Sequence, residues 1–285
     1  MEDTTRVTLS STLNPNTSGG EDDDKTKKTF SITNNEACKL VAKSLSHSNN
    51  LPHGCVLYPH STNALFVAWN GVLVLVYNGF PPAMTHAKQV IARSVPHLKR
   101  ENFGSQWPKT TLAAVQDDAD PLLLDDLQRL KRICMDYSSR IASEMSHPIP
   151  IQTLSAVHYS CRSLEKLDSR VDIALGNAKA VDIATQEEKA VVDSVVGEWN
   201  SNNLTAYLAK VNAPGSRISS YREESHAGAT CVAFLHPLPG QIRNHIASFR
   251  EAVEEQFPGR YAWLQEESWH CTLRSLDQDE SVSAS

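Results

Sequence analysis

Two short apolar runs, Leu65-Phe66-Val67-Ala68-Trp69 and Val72-Leu73-Val74-Leu75-Val76-Tyr77, flank Asn70-Gly71. This spacing predicts a β-hairpin, because a type I′ turn needs positive φ at both central residues and Asn-Gly supplies it. Pro81 and Pro82 end the second strand. Met84, Ala87, Val90, Ile91 and Val95 then recur at helical spacing and predict an amphipathic helix over 83–95, followed by a Gly-containing loop and a strand over 107–115.

The last third of the chain repeats this plan. Ala229 to Leu235 reads as a strand ended by Pro237 and Pro239. Ile242, Ile246, Phe249, Val253 and Phe257 predict a helix stopped at Pro258-Gly259, and Tyr261 to Leu264 leads into a strand over 268–276. From Pro82 to Thr111 is 29 residues and from Pro239 to Thr272 is 33. That similarity predicts a duplicated lobe.

Between the repeats, Leu123, Leu127, Leu130, Cys134 and Ile141 predict a helix over 122–143, which Pro148 and Pro150 stop. Strands follow at 151–159 and 170–175. Thr185, with Glu188 three residues on, forms a capping box ahead of Val191, Val192, Val195, Val196 and Trp199. A short helix over 36–44 opens the folded part. Residues 1–35 are rich in Ser, Thr, Asn, Gly and Asp and show no apolar period, so they are expected to be a disordered tail, as are 277–285. The folded domain is expected over 36–276.

With 40% of its 285 residues hydrophobic and 21% charged, the chain falls in the ordinary globular range, and its length fits one large domain or two small lobes. A formal net charge of −6 gives no long-range attraction for duplex DNA. Six cysteines at 38, 55, 134, 161, 231 and 271 contain no C-x-x-C pair, so neither a zinc site nor another metal or cofactor is expected, and the thiols read as reduced. The N-terminus lacks the charged and apolar regions of a secretory signal, and no apolar run is long enough for a bilayer, so a cytoplasmic protein without membrane contact is expected.

The chemistry centres on Trp269-His270-Cys271-Thr272-Leu273. On a strand, residues two apart share a face, so His270 and Thr272 project together and Cys271 points away, which argues against a Cys-His nucleophile. An imidazole can move a proton near neutral pH, and a hydroxyl beside it can hold a phosphoryl oxygen. In-line displacement needs a second pair across a cleft. The repeat places Lys109-Thr110-Thr111 at the corresponding position.

The stretch from Cys231 to Leu276, with S-W-H-C-T-L-R-S-L at its end, resembles the 2H phosphoesterase superfamily of RNA-ligase-like and cyclic-phosphodiesterase proteins, named for two His-x-Thr motifs; residues 72 to 115 follow the plan more weakly. The resemblance implies an α+β, bilobal fold of two pseudo-symmetric antiparallel-sheet lobes with packed helices. It also implies metal-independent action on cyclic phosphates or phosphodiesters of nucleotide or RNA ends, one histidine serving as base and the other as acid. His270 and Thr272 are the candidate catalytic residues, and Lys109 and Thr111 the candidate phosphate-binding ones, with a nucleotide or RNA terminus as ligand. The alternative is a non-catalytic protein that binds such an end and retains the fold.

Lysine departs from the family pattern: it is protonated at neutral pH and serves as a base only if strongly desolvated. His158-Tyr159-Ser160 offers an H-x-S as an alternative partner for His270. Little follows Leu276, so either the hairpin over 65–77 replaces the later strands of the family or the chain is shortened. Asp117, Asp118 and Asp120 are expected to cap the helix after Pro121, 212–217 to turn, and Arg217, Arg222 and Arg274 to be solvated at the surface.

Overall fold

The computed structural model describes residues 32–47, 54–143, 148–176, 183–200 and 203–278. Most of the two expected tails lies outside them. In chain order the elements are α1 (Asn34–His47), β1 (Cys55–Leu57), β2 (Leu65–Val67), β3 (Leu73–Val76), α2 (Pro82–Ser94), β4 (Lys109–Val115), α3 (Leu124–Ser143), β5 (Ile149–Ile151), β6 (Thr153–Tyr159), β7 (Leu167–Ala174), α4 (Gln186–Asn200), α5 (Leu204–Val211), α6 (Ile218–Arg222), β8 (Gly228–Phe234), α7 (Gly240–Gln256), β9 (Tyr261–Trp263) and β10 (His270–Ser275). The fold is α+β. One four-stranded antiparallel sheet runs β2-β3-β4-β9, a second runs β10-β8-β6-β7, and β1 pairs with β5 in a small ribbon.

The two predicted repeats sit one in each sheet, and their registers match residue for residue. In the first, Lys109 pairs with Val76 and Thr111 with Val74, after which the register slips by one and Ala113 faces Leu73. In the second, His270 pairs with Phe234 and Thr272 with Val232, after which the same slip leaves Arg274 opposite Cys231. Each motif strand thus carries a bulge directly after its threonine, and bulges bend a strand and re-aim the side chains beside it. A backbone bond precedes each pair at the same place, Tyr77 N–H to Pro108 O at 3.2 Å and Leu235 N–H to Trp269 O at 2.9 Å.

The sequence produces these pairs because each outgoing strand is stopped by prolines and each helix has an apolar stripe. Pro82 stands at the start of α2, where its missing N–H costs nothing. Met84, Ala87 and Ile91 of α2, and Ile242, Ile246, Phe249 and Val253 of α7, are buried at helical spacing. Helix α1 begins at Asn34, earlier than expected, with Thr33 and Glu36 forming its capping box. It packs Ala37, Cys38, Val41 and Leu45 against the second sheet. Helix α3 covers β2 and α7, where its buried Ser138 hydroxyl donates to Leu65 O and accepts from Leu65 N–H.

β2 and β3 form the expected hairpin and Asn70 and Gly71 both have positive φ, 62° and 78°, but Val67 pairs with Leu73, so the loop holds Trp69, Asn70 and Gly71 rather than the two residues of a type I′ turn. Gly71 is also boxed in: a Cβ there would lie 2.8 Å from Val115 Cγ2. Gly71→Ala is therefore expected to destabilise the protein by about 1–3 kcal/mol, from left-handed backbone strain together with overpacking. Urea unfolding would show this as a lower midpoint at unchanged slope. A midpoint equal to that of the wild type would refute it.

Several expectations are revised. Asp117 does not cap α3; its carboxylate accepts from the Ser219 hydroxyl at 2.6 Å and from Ser219 N–H at 3.3 Å, at the start of α6. The first turn of α3 is instead served by Asp126, which accepts from Leu123 N–H. Residues 277 and 278 belong to the folded part, because the Gln278 side chain donates to Ile32 O at 2.7 Å and accepts from Ile32 N–H at 3.2 Å. Strand β9 leaves the second repeat to pair with β4 of the first sheet, so the two sheets are cross-linked by one short strand.

Candidate functional site

Lys109 and Thr111 from β4, and His270 and Thr272 from β10, line one cleft of about 670 Å³ between the two sheets. Period-two alternation sends the intervening residues the other way. Thr110 is buried with its hydroxyl 2.8 Å from the Tyr77 hydroxyl. Cys271 is buried behind the cleft and hydrogen-bonds the Lys109 backbone, and burial pushes its thiol up to about 12. It remains a neutral thiol at physiological pH, unfit to act as a nucleophile. The two motif strands therefore touch through this residue.

His270 is held by one hydrogen bond, from Nδ1 to Ser268 O at 2.7 Å. Only a ring carrying its proton on Nδ1 can donate there, so Nε2 holds the lone pair and is left for the cleft. Burial pushes the imidazole pKa down to about 4; the Ser268 carbonyl opposes this and the Lys109 charge adds to it. His270 is thus a neutral ring at pH 7, in the tautomer of a proton acceptor. The edge of Phe234 packs at 6.2 Å between ring centroids and fixes its orientation.

Lys109 is neither at a sheet edge nor fully exposed. Strand β4 is interior to its sheet, and Nζ lies 4.0 Å over the Trp107 ring while donating to Gly104 O. Burial is the main cause that lowers its pKa from 10.5 to about 8, Cys271 opposing and Lys88 adding. Lys88 is itself paired with Glu101 at 2.7 Å. The desolvation required for a lysine to exchange protons near neutrality is present. Thr111 and Thr272 are half-buried, and among the described residues neither hydroxyl has a protein hydrogen-bond partner.

His158 does not join this group. Its neighbour Tyr159 lines the cleft, whereas His158 lies on the opposite side of β6, pairs in register with Ala229 and Ser169, and approaches Asp168 at 3.6 Å. The alternation that aims Tyr159 inward sends His158 away. None of the three arginines expected at the surface lines the cleft, and Arg274 is buried rather than solvated. Arg217 donates to the carbonyls of Gln116 and Ala119, Arg222 forms a two-pronged pair with Glu165, and Arg274 is buried and donates to Lys99 O.

Other residues reach the cleft from the end of β6, the β6–β7 loop, α6 and the segment before β8. Arg162 stacks over the Tyr221 ring at 5.1 Å, and both line the cleft wall, as do Tyr159 and His226. Leu164, in the same loop as Arg162, has φ of 59°. A branched residue held in the left-handed region stores strain that packing must offset. The Asp277 carboxylate also lines the cleft, but it accepts from the Ser275 hydroxyl at 2.6 Å and from Ala229 N–H at 3.3 Å.

Among the described residues, no group of three or more His, Cys, Asp or Glu side chains is placed to hold a metal ion, and no helix is long and apolar enough to cross a membrane. No protein-family model, no curated protein and no solved structure matches this chain.

Proposed function

We propose that the cleft binds and hydrolyses a cyclic phosphate or phosphodiester, of the kind found at nucleotide and RNA ends, as the 2H phosphoesterases do. The observation that supports this reading best is the matched register. Lys109 with Thr111, and His270 with Thr272, occupy equivalent positions before equivalent bulges and line one cleft. A phosphoryl group placed between them receives a hydroxyl from each side and an ammonium from one side. The neutral His270 Nε2 is the group suited to take the proton of an attacking water. Arg162 adds a permanent charge, and Tyr221 and Tyr159 offer flat apolar surface to the remainder of the ligand.

A second reading is favoured by one specific feature: the ammonium of Lys109 is already seated by the Gly104 carbonyl and the Trp107 face, as a fixed phosphate ligand would be. On that reading the cleft holds a nucleotide or RNA end without turnover.

Incubation with a 2′,3′-cyclic nucleotide in the presence of a metal chelator separates the two. Hydrolysis to the monophosphate is expected. It should fall at least about tenfold in the Thr111→Val/Thr272→Val double variant, because two hydrogen bonds to a charged phosphoryl group, each contributing on the order of 1.5–3 kcal/mol, are lost. Saturable binding without product, weakened in the same variant, would select the second reading. Absence of both binding and turnover would remove the proposal.

A further inference from the structure

We infer that Lys109 is the general acid of this cleft, delivering a proton from Nζ to the departing ribose oxygen while His270 Nε2 takes one from the attacking water. The inference rests on the phosphoesterase reading above and assigns its polarity. Lysine at this position would otherwise be a phosphate ligand and nothing more.

Geometry supplies the first support. In-line displacement places the entering and leaving oxygens on opposite sides of phosphorus, so acid and base must come from opposite walls. The register match puts Lys109 on β4 where His270 stands on β10, with each threonine two residues further along. Of the other cleft-lining groups able to hold a positive charge, Arg162 never surrenders its proton, and His226 is exposed in the segment before β8, beside Ser225, and belongs to neither motif strand.

The surroundings of Nζ supply the second support. One of its protons is held by the Gly104 carbonyl, and the Trp107 ring covers one side of it. Two N–H groups remain for the ligand. The charged and titratable neighbours on every packed element are few: Lys88 of α2, held by Glu101, and the neutral Cys271 thiol and His270 ring of β10. Among the described residues no carboxylate forms an ion pair with Lys109, so nothing locks its proton in place. The resulting pKa of about 8 leaves it protonated at pH 7 yet a far better proton donor than a surface lysine. Two groups whose environments separate their pKa values in this way, about 4 for His270 and about 8 for Lys109, mark base and acid respectively.

The step balances. The water oxygen forms its bond to phosphorus as its proton passes to His270 Nε2. The bond from phosphorus to the ribose oxygen breaks, and that oxygen takes its proton from Lys109 Nζ. The imidazolium and neutral amine that result are reset by proton exchange with solvent.

Lys109→Arg keeps the charge and removes the transferable proton, which makes it the decisive variant. Against a 2′,3′-cyclic nucleotide, whose alkoxide leaves poorly, its kcat is expected to fall about 10²- to 10⁴-fold with KM changed only a few fold. Against a 4-nitrophenyl phosphodiester, whose leaving group departs without a proton, the loss should be less than about tenfold. The wild-type kcat/KM should decline above pH 8, and Lys109→His should restore part of the activity with that decline moved to lower pH. Equal thermal midpoints of the variants would show that the fold is kept. If Lys109→Arg retains wild-type turnover of the cyclic nucleotide together with the decline above pH 8, Lys109 is not the acid and the phosphoesterase reading survives. If the wild type turns over neither substrate, that reading fails and the assignment of Lys109 falls with it.

Discussion

His270→Ala is expected to lower kcat/KM for a 2′,3′-cyclic nucleotide by about 10²- to 10⁴-fold, the usual contribution of a positioned general base. The expectation follows from one proton. Donation from Nδ1 to Ser268 O fixes the tautomer, so the lone pair sits on Nε2. With the pKa pushed down to about 4, that lone pair is free throughout the neutral range. Activity should therefore persist as pH falls below 6.5, where an ordinary histidine would already be protonated, and decline only near pH 4. His270→Gln, which fills a similar volume and can keep a bond to Ser268 O but has no usable base, should be as inactive as alanine. Retention of most activity in either variant would exclude His270 as the base.

The same depressed pKa has a consequence for stability. The folded ring resists a proton that the unfolded ring accepts, so between about pH 6.5 and 4 the unfolded state binds more protons and stability falls as pH falls. Above pH 6.5 both forms are neutral and His270 has no influence. The acid decline in rate and the loss of stability thus overlap, and short assays on folded protein are needed to separate them.

Much of this architecture is legible in the sequence, and the reasons differ from element to element. The hairpin at Asn70-Gly71, helix α7 and strand β10 depend on signals carried within a few residues: a turn that only certain residues make, an apolar stripe, an alternation. Helix α5 carries such a signal too, with Asn203 capping it and Leu204, Tyr207, Leu208 and Val211 at helical spacing. It is only two turns long and easily passed over. The pairing of β9 with β4 is different in kind, because three residues, Tyr261 to Trp263, hold no information about a partner at Ala113 to Val115. Arg162, from the loop between β6 and β7, and Tyr221, from the short helix α6, reach the cleft with no local signal either. The pKa of Lys109 was the least accessible property: the local sequence Trp107-Pro108-Lys109 reads as an ordinary strand, and the lowering arises from burial against Trp107, α2 and β10. His158 shows the converse. Its H-x-S resembles a motif, yet one position of strand phase aims Tyr159 at the cleft in its place.

Lys109→Met is expected to make the protein more stable at pH 7 while removing the acid. A lysine whose pKa falls from 10.5 unfolded to about 8 folded is charged in both states at pH 7, and its burial then costs on the order of 3 kcal/mol as an upper bound. Methionine fills nearly the same space with no charge to desolvate. Part of the gain is offset, because Gly104 O loses its donor; that residue is half-buried, so water can replace the ammonium. A net gain of about 1–2 kcal/mol in urea unfolding is the expected result. The pH dependence identifies its origin. As pH rises from 8 towards 10.5 the folded lysine loses its proton while the unfolded one keeps it, so wild-type stability rises relative to the methionine variant and the difference shrinks. A lysine placed only for structure predicts the reverse, a variant weaker than wild type at pH 7 with a gap that pH does not close. A residue that costs the fold stability at neutral pH, yet stands where the cleft needs a cation opposite His270, is better explained by chemistry than by packing.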